Sequence, residues 1–160
     1  MNPFVIMLIS VHLLLALGWL GAEMITVLVI GPGLQKMSVQ AMREFVTKVI
    51  PLAVTYVEWM IVGTGVTGFL LGFATPSQVQ ASGDIVLAGI VLALLAAGVE
   101  VIVTTPSFKK MISLGNVLLK SGVETRNPEM GKYERRVRWG SLAGTVLLVA
   151  VLVLMVITGL

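Results

Sequence analysis

Long unbroken apolar blocks, and neither amphipathic stripes nor alternating strands, dominate the pattern of this chain. A helix needs about 20 apolar residues to cross a hydrocarbon core of about 30 Å. Four blocks meet that length and predict helices over about 3–30, 49–73, 85–105 and 139–160. In lipid every backbone polar group must be paired within its own segment, so the many Val and Ile residues do not turn these blocks into strands. The expected fold class is therefore all-α: one four-transmembrane-helix bundle occupying residues 1–160. The first block is too long for a signal peptide, and Met1-Asn2 ahead of it carries no Lys or Arg, so it reads as a retained helix.

The polar positions between the blocks set an orientation. Lys36, Arg43 and Lys48 fall in the first loop; Lys109, Lys110, Lys120, Arg126, Lys132, Arg135, Arg136 and Arg138 fall in the third. The second loop, Ala74–Gly83, has none, so all 11 basic residues lie on one side. The positive-inside rule places loops 1 and 3 in the cytoplasm and both termini outside, in a prokaryotic plasma membrane. Leu34–Lys48 and Ser107–Lys120 mix apolar and charged residues and read as interfacial helices on the inner leaflet. Asn127-Pro128 marks a turn before the last span.

A repeat is visible at the span ends. Pro32-Gly33-Leu34-Gln35-Lys36-Met37 and Pro106-Ser107-Phe108-Lys109-Lys110-Met111 share the pattern Pro-x-apolar-x-Lys-Met. Two parallel hairpins related by an axis along the membrane normal would produce it, with helix 1 facing helix 3 near that axis. Small residues supply close-packing surfaces: Gly65, Gly68 and Gly72 on helix 2, Gly89, Ala93, Ala96 and Ala97 on helix 3, and Gly140 and Gly144 on helix 4.

Composition agrees with a lipid solvent: 57% of residues are hydrophobic and 12% charged, against about 25% charged in soluble domains. Cysteine is absent, which excludes disulfides, thiolate metal sites and cysteine nucleophiles. The net charge of +3 does not indicate nucleic acid, because the basic residues flank the spans. Walker loops, dinucleotide glycine patterns and HExxH are also absent, which argues against nucleotide-driven pumps and hydrolases.

Four ionisable residues, His12, Glu23, Glu58 and Glu100, lie inside the spans, where they are costly and face the protein interior by default. His12 is the only histidine and sits roughly 13 Å from the outer end of helix 1. At 100° per residue, Trp19 and Glu23 fall within about 20° of it, giving one inward stripe. A neutral imidazole ligates haem iron, copper or zinc well; the alternative is a histidine that hydrogen-bonds a neighbouring helix. Met7 and Met155 share its outer half, where apolar packing accounts for them. The three glutamates fall at one depth, roughly 8–10 Å from the inner ends. They must be protonated, bind a cation, or pair with Arg135, Arg136 or Arg138. Tyr56, Trp59 and Trp139 fit the inner half, Trp139 as an interfacial anchor.

The stretch His12-Leu13-Leu14-Leu15-Ala16-Leu17-Gly18-Trp19-Leu20-Gly21 resembles the first-helix pattern of CopD-like membrane domains, a His followed by apolar residues and then Trp-x-Gly. Pro32, Pro106 and Glu134-Arg135-Arg136-Val137-Arg138 fit as well, and the HemJ-like four-helix protoporphyrinogen oxidases share the layout. The resemblance implies a small bundle binding b-type haem, or copper, with His12 as the one residue carried over; Trp19, on the same stripe, is the other cofactor-binding candidate. A second histidine and a lysine within helix 3 are missing, which counts against copper transport and porphyrinogen oxidation. The leading expectation is a membrane redox or metal-cofactor protein in electron transport, as a homo-oligomer or a subunit of a larger complex. The alternatives are a cation or proton transporter using Glu23, Glu58 and Glu100, and a non-catalytic scaffold subunit.

Overall fold

The structure, a computed structural model, describes residues 2–76, 83–121, 125 and 127–158. The turn of the second loop, Arg126 and the last two residues expected in helix 4 lie outside the described residues. Among the described residues the chain is helical throughout, with no strand. The elements are α1 (Pro3–Ile25), a π-helical turn (Thr26–Ile30), α2 (Gly31–Lys36), α3 (Val39–Lys48), α4 (Ile50–Ala74), α5 (Gly83–Val99), a second π-helical turn (Glu100–Thr104), α6 (Thr105–Ser121) and α7 (Pro128–Thr158). They join into four rods, Pro3–Lys36, Val39–Ala74, Gly83–Ser121 and Pro128–Ile157, each long and apolar enough to cross a membrane.

The helix starts follow from local chemistry. Asn2 accepts from Phe4 N–H at 2.9 Å ahead of Pro3. Ser38 accepts from Ala41 N–H at 3.2 Å at the start of α3, and Asn127 accepts from Glu129 N–H at 2.8 Å ahead of Pro128. Each such cap satisfies an orphan donor and contributes about 1 kcal/mol.

Pro32 and Pro106 do not end their spans, as the sequence suggests. Each lacks an N–H and would clash with the carbonyl one turn back in an unbroken α-helix. A π turn precedes each and widens the ladder. Gly31 N–H reaches Thr26 O, and Thr105 N–H reaches Glu100 O, both five residues back. The Thr26 and Ser107 hydroxyls donate to Ala22 O and Val103 O nearby. The helix therefore continues past the proline, and the first and third rods run to Lys36 and Ser121 instead of ending near 30 and 105. The fourth begins at Pro128 instead of about 139. The two π turns fall at the same place relative to Pro32 and Pro106, which matches the repeat seen in the sequence.

At 1.5 Å per residue, the 34 residues of the first rod and the 39 of the third measure about 51 and 58 Å, well beyond the hydrocarbon thickness. The excess lies at the end that carries the basic residues. There Leu34, Met42, Val46, Ile50, Val54, Phe108, Met111, Met130 and Val137 form a core shared by all four rods. Ser107–Lys120 is part of α6, and α3 packs on it, so the apolar faces of both segments are buried at least in part against protein. The buried Arg43 of α3 holds this layer together by donating from Nη2 to Thr125 O at 2.9 Å and from Nη1 to Leu118 O at 3.4 Å. These carbonyls lie at and just beyond the end of α6, where a cation is favoured.

Within the membrane region packing is sparser. α1 lies along α4, α5 along α7, and α1 against α7. The apolar windows of the first and fourth rods are 22% buried and those of the second and third 11%. Rods 1 and 4 are therefore the central pair, with rods 2 and 3 on their flanks. Helix 1 packs most extensively on helices 2 and 4, and it meets helix 3 only locally, where Trp19 and Leu20 cluster with Ala96 and Glu23 faces Glu100. The reason lies in helix 4, whose Gly140 and Gly144 admit side chains from both neighbours. A Cβ at Gly140 would strike Thr104 Oγ1, and one at Gly144 would lie 3.3 Å from the Glu23 carboxyl carbon.

Gly140→Val should therefore lower stability by about 1–3 kcal/mol through overpacking. Gly98→Ala, with nothing within 4 Å of the new Cβ, should stay within about 0.5 kcal/mol of the parent. Unfolding in detergent, followed by helical circular dichroism, checks both; equal losses would contradict the packing described.

Candidate functional site

The intramembrane ionisable residues separate into three environments. Glu58 lies on the outer face of α4 and accepts from Lys109 Nζ at 3.1 Å, an exposed ion pair. Tyr56, Trp59 and Trp139 are likewise exposed, as lipid-facing or interfacial rings are. Glu58 therefore does not join the other two glutamates, although the helix lengths put all three at one depth. Position along a helix is set by residue count, but the face is set by packing, and Val54 rather than Glu58 is the buried residue of that region of α4.

His12 is half-buried on α1 and turns toward α4. Its Nδ1 lies 2.9 Å from Thr67 Oγ1, which lies 2.7 Å from Gly63 O and 3.2 Å from Thr64 O. The hydroxyl has one proton and the carbonyls only accept, so the arrangement that satisfies every atom has Nδ1–H donating to Thr67. The ring edge rests on Gly68, where an added Cβ would come within 3.0 Å of Cε1. Leu15 closes the same seam against Gly63. Met7 is 56% exposed and points away from this seam.

Glu23 and Glu100 form the third environment. They are 3% and 4% exposed and face each other closely enough to interact directly. Trp19, 2% exposed, packs with Leu20, Ala96 and Leu148 and donates its indole N–H to Glu23 Oε1 at 3.4 Å. Thr105 donates to Glu100 Oε1 at 3.1 Å. Ser141 Oγ lies beside the Glu23 carboxyl, and Glu100 Oε2 and Thr104 Oγ1 are buried without a hydrogen-bond partner. Among the described residues neither Glu23 nor Glu100 has an ion pair. Arg135, Arg136 and Arg138, the expected partners, are exposed on α7.

The fold builds this site from its irregularities. Glu100 is the first residue of the second π turn, which packs against α7. Gly144 gives the Glu23 carboxyl room on the facing surface. On the loop side of Glu23, Thr26 lines a small cavity of ≈ 10 Å³ together with Glu134 and Arg138, about the room one water needs. The Glu134 Oε1 atom is buried and without a hydrogen bond.

Thr104, Thr105 and Ser141 were not legible as site residues in the sequence, because a hydroxyl on an apolar helix ordinarily bonds its own backbone. The Gly140-Ser141-x-x-Gly144 spacing is the one available signal, and it reads first as a packing surface. No protein-family model, curated protein or solved structure matches this chain.

The His12–Thr67 contact should show as a coupling between His12→Phe and Thr67→Val of about 0.6 kcal/mol, as for interhelical hydrogen bonds elsewhere in lipid. A double-mutant cycle on unfolding free energy measures it. Strict additivity would mean that the two side chains do not bond.

Proposed function

We propose that this protein is a multi-pass membrane protein that takes up and releases protons at the buried Glu23–Glu100 pair. The carrying observation is two carboxyl groups facing each other in a dry interior with no cationic side chain beside them. Two negative charges so placed in a low-dielectric medium are prohibitive, so the pair must hold a shared positive charge. A proton suits the site better than a metal cation. The Trp19 N–H and the Thr105 hydroxyl already point at the carboxyl oxygens and would repel a cation, and the described residues bring no third metal-binding side chain. Thr26, the small cavity and Glu134 extend from Glu23 toward the loop end and supply a route for the proton. By the positive-inside rule we read that end as cytoplasmic, with both termini outside, and the membrane as a prokaryotic plasma membrane. The long lipid-facing surfaces of rods 2 and 3 leave room for a second copy or a partner subunit.

Proteoliposomes with an entrapped pH dye, energised by a potassium gradient, test this. Glu23→Gln and Glu100→Gln should each lower the proton flux at least about tenfold, the loss expected when a relay group is removed. Glu58→Gln should leave it unchanged. Flux that survives both interior substitutions, or is absent from the parent, would refute the reading.

A second reading rests on the His12 tautomer. With Nδ1–H given to Thr67, Nε2 keeps its lone pair, as in many ligating histidines. This supports the CopD-like or HemJ-like resemblance and a b-type haem, or copper, at His12. The seam is closed by Leu15 on Gly63 and by the ring on Gly68, so a macrocycle would fit only if α1 and α4 separate. Trp19, the other cofactor-binding candidate, is buried with Leu20, Ala96 and Leu148. The purified protein should show a Soret band that His12→Ala abolishes; its absence after haem addition would dispose of this reading.

A further inference from the structure

Rods 2 and 3 are the two flanks of the bundle, and between them runs an open groove of ≈ 570 Å³. Its wall is apolar where it borders the span, with Ile61, Val62 and Val101 contributing. At its loop end stand Lys109 and Lys110, with Glu58 opposite. Glu58 takes Lys109 at 3.1 Å, and Lys110, exposed, has no ion pair among the described residues. The groove thus has one net positive charge at the level where the apolar stretch gives way to polar residues.

We propose that this groove binds an anionic phospholipid, with one acyl chain along Ile61, Val62 and Val101 and the headgroup phosphate on Lys109 and Lys110. The argument is complementarity of charge and of length. An acyl chain needs an apolar channel that starts inside the bilayer, and a phosphate needs donors where that channel reaches the headgroups. Basic pockets between membrane helices meet both needs. A soluble anion would gain only the lysines, one of which is already occupied. A zwitterionic lipid also carries a phosphate, but its headgroup cation would stand close to Lys109 and Lys110 and offset that gain. Glu58 acts as a brake in this arrangement, because it competes with the phosphate for Lys109. The groove is separate from the carboxyl pair, although Thr105 lies between the two.

Native mass spectrometry of the protein in detergent doped with phosphatidylglycerol measures the retained lipid. Lys109→Gln and Lys110→Gln should each weaken retention about fivefold, from the attraction of one basic residue to anionic lipid. Glu58→Gln, which frees Lys109, should strengthen it. Val101→Trp, at an exposed position, should fill the channel and abolish retention with both lysines in place, and serves if the lysine variants fold poorly. Equal retention of phosphatidylcholine would overturn the proposal. So would equal binding of soluble glycerol phosphate, or weaker retention in Glu58→Gln.

Discussion

Two carboxyl groups, Glu23 and Glu100, are held against one another in the interior of a bundle whose outer surface is hydrocarbon-like. Leaving both charged would cost far more than the sparse packing around them returns, and the proton proposed to be shared between them answers that cost. The neighbouring structure follows from that constraint. Gly144 is bare because a larger side chain would occupy the space of the Glu23 carboxyl. Trp19 and Thr105 each spend their single donor on one member of the pair.

The prolines and the long inner ends make this geometry possible. A proline in an ordinary helix costs a hydrogen bond and a clash, and here two π turns absorb both at matching positions of the two hairpins. The second π turn also begins at Glu100, so the device that tolerates Pro106 is the one that places the acid. Beyond the prolines, rods that run past the hydrocarbon join in a core of Leu34, Val46, Ile50, Phe108 and Met111. That core, with Arg43 bonded across it, anchors one end of an assembly whose other end is mainly lipid-facing. Mobility of the spans, if proton transfer requires it, is therefore expected at the end away from this core.

The all-α architecture and the four spans were legible because hydropathy over 20 residues is a strong signal and lipid removes the competing strand reading. The inward turn of His12, Trp19 and Glu23 was also legible, since one angular stripe contains all three. Which helix each would meet was not. His12 reaches Thr67 on α4, whereas Glu23 reaches across α7, because α1 is central and has neighbours on two sides. Glu58 shows the same gap: its depth agrees with that of Glu100, but its face does not. The prolines misled on length, since sequence marks them as stops and only the π turn reveals the continuation. Loop segments rich in Lys looked interfacial because their apolar residues, Phe108 and Met111 among them, gave no sign that all four rods converge there.

Infrared spectroscopy of the protein in lipid at neutral pH tests the shared proton most directly. A protonated carboxyl group has a carbonyl stretch that an ionised one lacks, and its position reports a dry environment. The account predicts such a band in the parent protein and its disappearance when Glu23 and Glu100 are both replaced by Gln. A parent spectrum with carboxylate bands alone, or a band that survives the double replacement, would contradict it.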